Sequence, residues 1–416
     1  MRRAGRLELW VLGGVLSLLS VMPGCAVMRR NSLSADLRPC SDSYATTADG
    51  WRLGVRRIRP EHPDPAKLPV VLCHGLGLNG TFWTITDDHL PGQLAARGYD
   101  VFIVDLRGSG ESTRTGHVGW INAGLRQTPL LEMGEDAWNV DDLMRYDVPA
   151  VLDHVKELSG HDRVNWVGHS LGGMLLVPYL ELAPDPRRIA TFVGMGSTVA
   201  LADTPKTDML KANRQLRVLL QAVSTARLAR PMVVTRLPGL DRIDRFYYTK
   251  ENVDRRTISR FYGYALEDPG PAALRQLDPY LEFGRMISAD GKTDYVSLLG
   301  KITTPTLLIA GEKDIMSDVP STRIMFAAMS SPDKTLLRFG RRDGHFDDYG
   351  HCDLVWSRHA PEEVFPPLIE WLDRRQPGAV ATPPQPMTTT TPMPASTPAL
   401  VPLPMPTRGH GNIDRD

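Results

Sequence analysis

The stretch that most constrains this chain is Val164-Asn165-Trp166-Val167-Gly168-His169-Ser170-Leu171-Gly172-Gly173. An apolar run stops at a glycine-rich corner and passes straight into an apolar helical segment. Gly-x-Ser-x-Gly between a strand and a helix asks for one geometry. The turn is so tight that a Cβ at 168 or 172 would collide with neighbouring backbone. The serine stands at a strained apex, its Oγ exposed and a helix N-terminus behind it. His169, next to the apex, points away from Oγ and is expected to be packed.

The surrounding sequence repeats the same alternation. Short apolar or β-branched runs at 53–58, 70–74, 100–105, 164–168, 189–194, 306–310 and 334–339 predict strands. Most are nearly continuous, as in strands covered on both faces. Helices are predicted at 141–157, 170–182 and 362–373. In the last, Val364, Phe365, Leu368, Ile369 and Leu372 recur at helical spacing, and Pro366-Pro367 predicts a kink or a later start. Alternating β and α predicts an α/β fold: a mostly parallel central sheet flanked by helices. Its core is expected at 51–196 and 302–375. Residues 197–301 break the alternation with helical pattern and no clear strand, which predicts a helical cap or lid. Its 216–240 run, rich in Leu, Val and Met, would face the sheet or a substrate.

The chain ends differ in composition. Arg2, Arg3 and Arg6 precede an apolar stretch, 10–21, too short to span a bilayer. The following Gly24-Cys25 resembles a bacterial lipoprotein signal, in which the cysteine becomes lipidated. Residues 1–25 are thus expected to be a lipoprotein-type signal peptide, with an uncleaved anchor as the alternative, and 26–50 a linker. The expected location is the cell envelope, on a membrane surface through a lipid on Cys25. At the other end, ten of the 34 prolines fall in 377–407, among threonine runs. Such a stretch buries too little surface to offset its ordering entropy, so 376–416 is expected to be a disordered tail.

Charge and cysteine usage exclude some classes. Lys plus Arg and Asp plus Glu are 48 each, which offers nothing to a nucleic acid. Four cysteines, at 25, 40, 73 and 352, are too sparse for a disulfide scaffold. Cys73 and Cys352 flank proposed site residues, and their pairing stays open. No Gly-x-Gly-x-x-Gly follows a strand, no P-loop occurs, and no His-Glu-x-x-His or Cys-x-x-Cys is present, so no cofactor and no metal are expected.

A nucleophilic serine needs an oxyanion site, a base and an acid. The 70–74 run ends in His74-Gly75-Leu76-Gly77, so backbone N–H groups of Leu76 and of Leu171 are the candidate oxyanion donors. His74 is expected to shape that loop. Candidate acids lie in the loop after the 306–310 strand, at Glu312, Asp314 and Asp318. The base lies beyond the last strand, at His345 or His351. The helix after His351 would fix its loop, and the carboxylates beside His345 would hold its proton too firmly for a base. His345, Asp347, His351 and Asp353 could mimic metal ligands, but catalysis already explains that cluster.

At this point the chain resembles an α/β-hydrolase, and more narrowly the acid-lipase branch and its bacterial relatives. The matching pieces are Cys73-His74-Gly75-Leu76, Asp105-Leu106-Arg107-Gly108-Ser109-Gly110, the run from Asp142 to Ala150, the Ser170 corner, and Tyr349-Gly350-His351-Cys352-Asp353-Leu354. The resemblance implies Ser170, Asp314 and His351 as the catalytic set. It also implies a serine hydrolase that cleaves carboxylic, lipid-like acyl esters through an acyl-enzyme. Its partner would be a small-molecule or lipid ester. Rival readings are an acyltransferase on the same residues and a non-catalytic binding protein on this fold. Dehalogenase or epoxide-hydrolase chemistry would need Asp at 170.

Overall fold

The computed structural model describes residues 42–114, 138–212 and 241–378. The expected signal segment 1–25 with Cys25, the 216–240 run and all of the tail beyond residue 378 lie outside the described residues. Among the described residues, no helix is long and apolar enough to cross a membrane.

The strands are β1 (Ser43–Thr46), β2 (Trp51–Ile58), β3 (Val70–Cys73), β4 (Val101–Val104), β5 (Thr113–Arg114), β6 (Val164–His169), β7 (Ile189–Met195), β8 (Thr306–Gly311) and β9 (Lys334–Phe339). They form one sheet in the order β1-β2-β4-β3-β6-β7-β8-β9, with β5 beside β2. Pairings from β4 to β9 are parallel, and those of β1, β2 and β5 are antiparallel. All seven predicted strands are present. The sheet also takes in β1, where the sequence reading puts a linker, and the two-residue β5.

The helices are α1 (Leu90–Ala96), α2 (Val148–Ser159), α3 (Leu171–Met174), α4 (Leu176–Leu182), α5 (Pro205–Ala212), α6 (Asp241–Tyr247), α7 (Arg255–Arg260), α8 (Pro271–Phe283), α9 (Val319–Ala328), α10 (Asp353–Trp356), α11 (Ala360–Glu363) and α12 (Phe365–Asp373). The pleat divides each buried strand between two cores. Val71, Cys73, Phe102, Val104 and Trp166 pack on one side, with α2, α4 and α9. Val70, Leu72, Val101, Ile103 and Val167 pack on the other, with α1 and α12. The edge strand β9 is only half-buried and carries Lys334 and Arg338, which blunts the edge.

Three predicted helices are present with internal breaks. The first starts at an Asn139 cap and widens into a π turn over Leu143–Asp147 before α2. Pro149 explains the break, because it has no N–H to donate back to residue 145. The second divides at Leu175 into α3 and α4. The third divides at Val364, and Pro366 and Pro367 sit in the first turn of α12, where their missing N–H groups cost nothing. Gln376, at the expected start of the tail, is docked: it accepts the Leu68 N–H (2.9 Å). Between β7 and β8 the described residues form α5 to α8 and no strand, only isolated bridges such as Leu78 with Leu266.

Candidate active site

Ser170 follows β6, in the middle of the sheet, and precedes α3. Its backbone has φ 52° and ψ −120°, the only positive φ outside glycine among the described residues. A non-glycine residue in that region is strained and persists only where the surroundings impose it. Here they do. A Cβ on Gly168 would meet the Gly172 carbonyl, and one on Gly172 would meet the Cys73 carbonyl. The corner is therefore closed by backbone against backbone, and the Ser170 N–H is held by the Met195 carbonyl (2.9 Å).

Gly75, at the turn after β3, passes directly over this apex: a Cβ there would lie 3.0 Å from Ser170 Cβ. Leu76 and Leu171 both line one open crevice, together with His74, Gly75 and Glu267; Ser170 and His351 are not among its lining residues. Leu171 opens a helix, where the first amides have no intrahelical partner. Among the described residues neither amide meets a protein acceptor. Such a pair is able to receive an oxygen that develops negative charge.

His351 and Asp314 come together from the loops after β9 and β8. Nδ1 of His351 lies 2.9 Å from Oδ2 of Asp314. Asp314 is fully buried and His351 is 5% exposed. The other carboxylate oxygen, Oδ1, accepts the N–H groups of Met316 (2.8 Å) and Ser317 (2.9 Å). The carboxylate is thus fixed from both sides and in turn fixes the imidazole. Gly196 packs on this pair: a Cβ on it would lie 3.1 Å from Asp314 Oδ2 and 3.2 Å from His351 Nδ1, and its neighbour Met195 holds the Ser170 N–H; among the described residues no hydrogen bond joins Ser170 Oγ to His351. The competing acids face elsewhere. Asp318 caps α9 and accepts from Ser321 and Thr204, and Glu312 faces Arg342 at 3.8 Å.

His345 is not brought to Asp314. Its Nδ1 lies 3.1 Å from the Gly340 carbonyl, and its ring packs on Phe339. The other members of the suspected cluster also separate: Asp347 goes to His359 and Ser357, and Asp353 to Asn252. His169 is packed, as expected. Its Nε2 reaches the His351 carbonyl at 3.0 Å, its ring lies against Phe82 and His351, and burial holds it well below the usual histidine range. His74 accepts the Leu106 N–H on Nε2 (3.1 Å) and gives Nδ1–H to the Gly75 carbonyl (2.8 Å). Burial lowers it to about 4, so it spans the loop as a neutral ring. Cys73 and Cys352 are both free and buried, in the two different cores. Burial pushes both thiols well up, which makes them inert rather than nucleophilic.

Sequence reasoning missed the residues that hold these loops from the segment between β7 and β8. Lys206 donates Nζ to the carbonyls of Glu312 (2.5 Å) and Asp314 (3.3 Å). Asn252 donates to Asp353 Oδ2 (2.7 Å) and to the Asp348 carbonyl (2.9 Å), while the Tyr247 carbonyl accepts the Cys352 N–H (2.6 Å). Nothing local marks such partners in the sequence.

Comparison with known proteins follows the same lines. A family profile described as alpha/beta hydrolase fold matches residues 69–357. Gastric triacylglycerol lipase of Rattus norvegicus is 22% identical over 371 residues, covering 80% of this chain and 88% of its own. Lysosomal acid lipase/cholesteryl ester hydrolase of Homo sapiens is 28% identical over 174 residues, 39% of this chain and 40% of its own. Among solved structures, an esterase from Exiguobacterium antarcticum superposes with a TM-score of 0.51 at 16% identity, covering 79% of this chain and 98% of that one.

Proposed function

The chain belongs to the α/β-hydrolase family, and on that premise we propose that it is a serine hydrolase of carboxylic esters, acting on lipid-like acyl esters. The observation that carries this reading is the His351 imidazole held on a buried Asp314 carboxylate beside the strained Ser170 corner. The lipase names of its relatives point the same way.

In this mechanism Ser170 Oγ attacks the ester carbonyl carbon, and its proton passes to Nε2 of His351. Asp314 keeps the proton on Nδ1 and stabilises the imidazolium that forms. The carbonyl electron pair moves onto oxygen, where the Leu76 and Leu171 amides receive it. His351 returns its proton to the leaving alcohol, and an acyl-Ser170 remains. Water repeats the sequence and releases the acid.

The test uses p-nitrophenyl esters of rising chain length with a serine-directed phosphonate. Ser170→Ala is expected to abolish both turnover and phosphonate uptake while the fold persists. His351→Ala is expected to lower kcat by several orders of magnitude, as loss of a triad member does, leaving the oxyanion contribution. His345→Ala is expected to cost far less. Labelling that survives in Ser170→Ala, or a dead His345→Ala beside a near-normal His351→Ala, would overturn the assignment.

A further inference from the structure

The loop that carries the Leu76 amide is not held by its own β-sheet alone. It is gripped from the far side by residues 264–267, which belong to the segment between β7 and β8. The Asn79 N–H donates to the Ala265 carbonyl (3.0 Å), and the Glu267 N–H donates to the Gly77 carbonyl (2.8 Å). Side chains complete the grip. Asn79 Nδ2 donates one hydrogen to the Tyr264 carbonyl (2.7 Å) and the other to Glu267 Oε1 (2.8 Å). Asn79 Oδ1 accepts the Thr81 N–H (2.9 Å). Glu267 Oε1 also accepts the Gly110 N–H (3.3 Å), which joins the loop after β4 to the same carboxylate.

Asn79 is fully buried, and every polar atom of its side chain has a partner. Two donors and one acceptor on so short an arm are found only in asparagine. An aspartate would set its charge against a carbonyl and the Glu267 carboxylate. Gly77 leaves no slack in the contact: it holds φ +68°, and a Cβ on it would press on the Glu267 carbonyl at 3.2 Å. The Gly77 carbonyl thus anchors the loop two peptides beyond the Leu76 amide, just after Gly75, where an added Cβ would lie 3.0 Å from Ser170 Cβ.

An oxyanion donor acts only when it is aimed at the place where charge develops, and an error of about 1 Å is enough to cost about a hundredfold in rate. We propose that Asn79 and Glu267 are positioning residues for the oxyanion donor at Leu76, so that the segment between β7 and β8 aims the catalytic amide. This rests on the serine-hydrolase reading above. It deepens that reading by assigning a catalytic consequence to residues that touch no substrate.

The experiment uses the full chain and a trifluoromethyl ketone. Ser170 Oγ bonds to the ketone carbon, the carbonyl electron pair becomes an oxyanion, and the serine proton moves to His351. Affinity for the ketone therefore reports the oxyanion site, whereas KM for p-nitrophenyl butyrate, read beside the single-turnover acylation rate, reports substrate binding. Glu267→Ala is expected to lower kcat about 10- to 100-fold, with KM changed less than about threefold and ketone affinity falling by the same factor as kcat. Glu267→Gln keeps an oxygen for Asn79 and is expected to recover most of the rate. Asn79→Ser is expected to repeat the Glu267→Ala pattern. A merely structural role would lower the melting temperature and leave ketone affinity and kcat unmoved, or raise KM alone; either result overturns the proposal. A wild-type chain that neither cleaves esters nor takes up phosphonate would bring down the hydrolase reading and this proposal with it. An active wild type with indifferent variants brings down this proposal only.

Discussion

His74 shows how much of the site depends on one ring staying neutral. Its Nε2 accepts the Leu106 N–H and its Nδ1 donates to the Gly75 carbonyl, so a second proton would break the first contact. Burial lowers it from 6.5 to about 4. Between those values the unfolded chain binds the proton and the folded chain does not. The contribution is therefore intact above pH 6.5 and is lost as pH falls towards 4, by about 3 kcal/mol in all. Urea unfolding of wild type and His74→Gln at pH 8 and pH 4 is expected to show the gap between them narrowing by about that amount. A gap that does not change with pH would contradict the prediction. Shifts at Asp147 and Asp353 act on both proteins and cancel in the difference, as does that at His169 apart from the part due to His74 itself. His74 and the Ser170 corner were legible in the sequence because strand, turn and next residue are contiguous. Asn79 and Glu267 were not, since they meet across 188 positions of chain.

The loop after β4 and the helix α2 are joined by a buried ion pair that the sequence showed only as two matching motifs. Arg107 Nε and Nη2 reach Asp147 Oδ1 at 2.8 and 2.6 Å, and Nη1 reaches Asp49 at 2.7 Å. Asp147 is fully buried, and burial pushes its carboxyl up to about 6 against the pull of Arg107. Removing the cation leaves that carboxylate uncompensated. Arg107→Met is expected to cost about 3–5 kcal/mol at pH 8, while Arg107→Met with Asp147→Leu recovers most of it. The sign in pH follows from the raised carboxyl. Without Arg107 it rises further, so the single variant loses ground as pH increases and regains it as pH falls towards 5 and Asp147 takes a proton. Urea unfolding at both pH values checks this; a pH 8 loss below about 1 kcal/mol would rule it out. Helix positions were readable from apolar spacing. The breaks at Asp147 and Val364 were only partly so, because Pro366-Pro367 announced one and Pro149 hid inside a strong helical pattern.

At the scale of the molecule, the parallel half of the sheet was legible because most of its strands, the edge strand β9 excepted, are buried on both faces and read as nearly unbroken apolar runs. The antiparallel edge was not. β1 is four residues of mixed character, and β5 is two, so neither carries a pattern of its own; long-range pairing with β2 makes them strands. Attachment to a membrane remains a proposal from Gly24-Cys25. Cys25→Ala is expected to leave the chain as an unlipidated precursor or to release it from the membrane fraction. Intact mass of the wild type should show two or more acyl groups, since a single chain anchors only marginally. A mature wild type without acyl groups would refute it.

The segment between β7 and β8 grips the loops of three candidate residues: through Lys206 that of Asp314, through Asn252 and Tyr247 that of His351, and through Glu267 that of Leu76. A change in that one segment therefore reaches all three loops at once. A library randomised across this segment is expected to be populated mainly by inactive members unless the side chains of Lys206, Asn252 and Glu267 are kept, whereas positions 247, 264 and 265, which hold through backbone carbonyls, tolerate any side chain that keeps the backbone path.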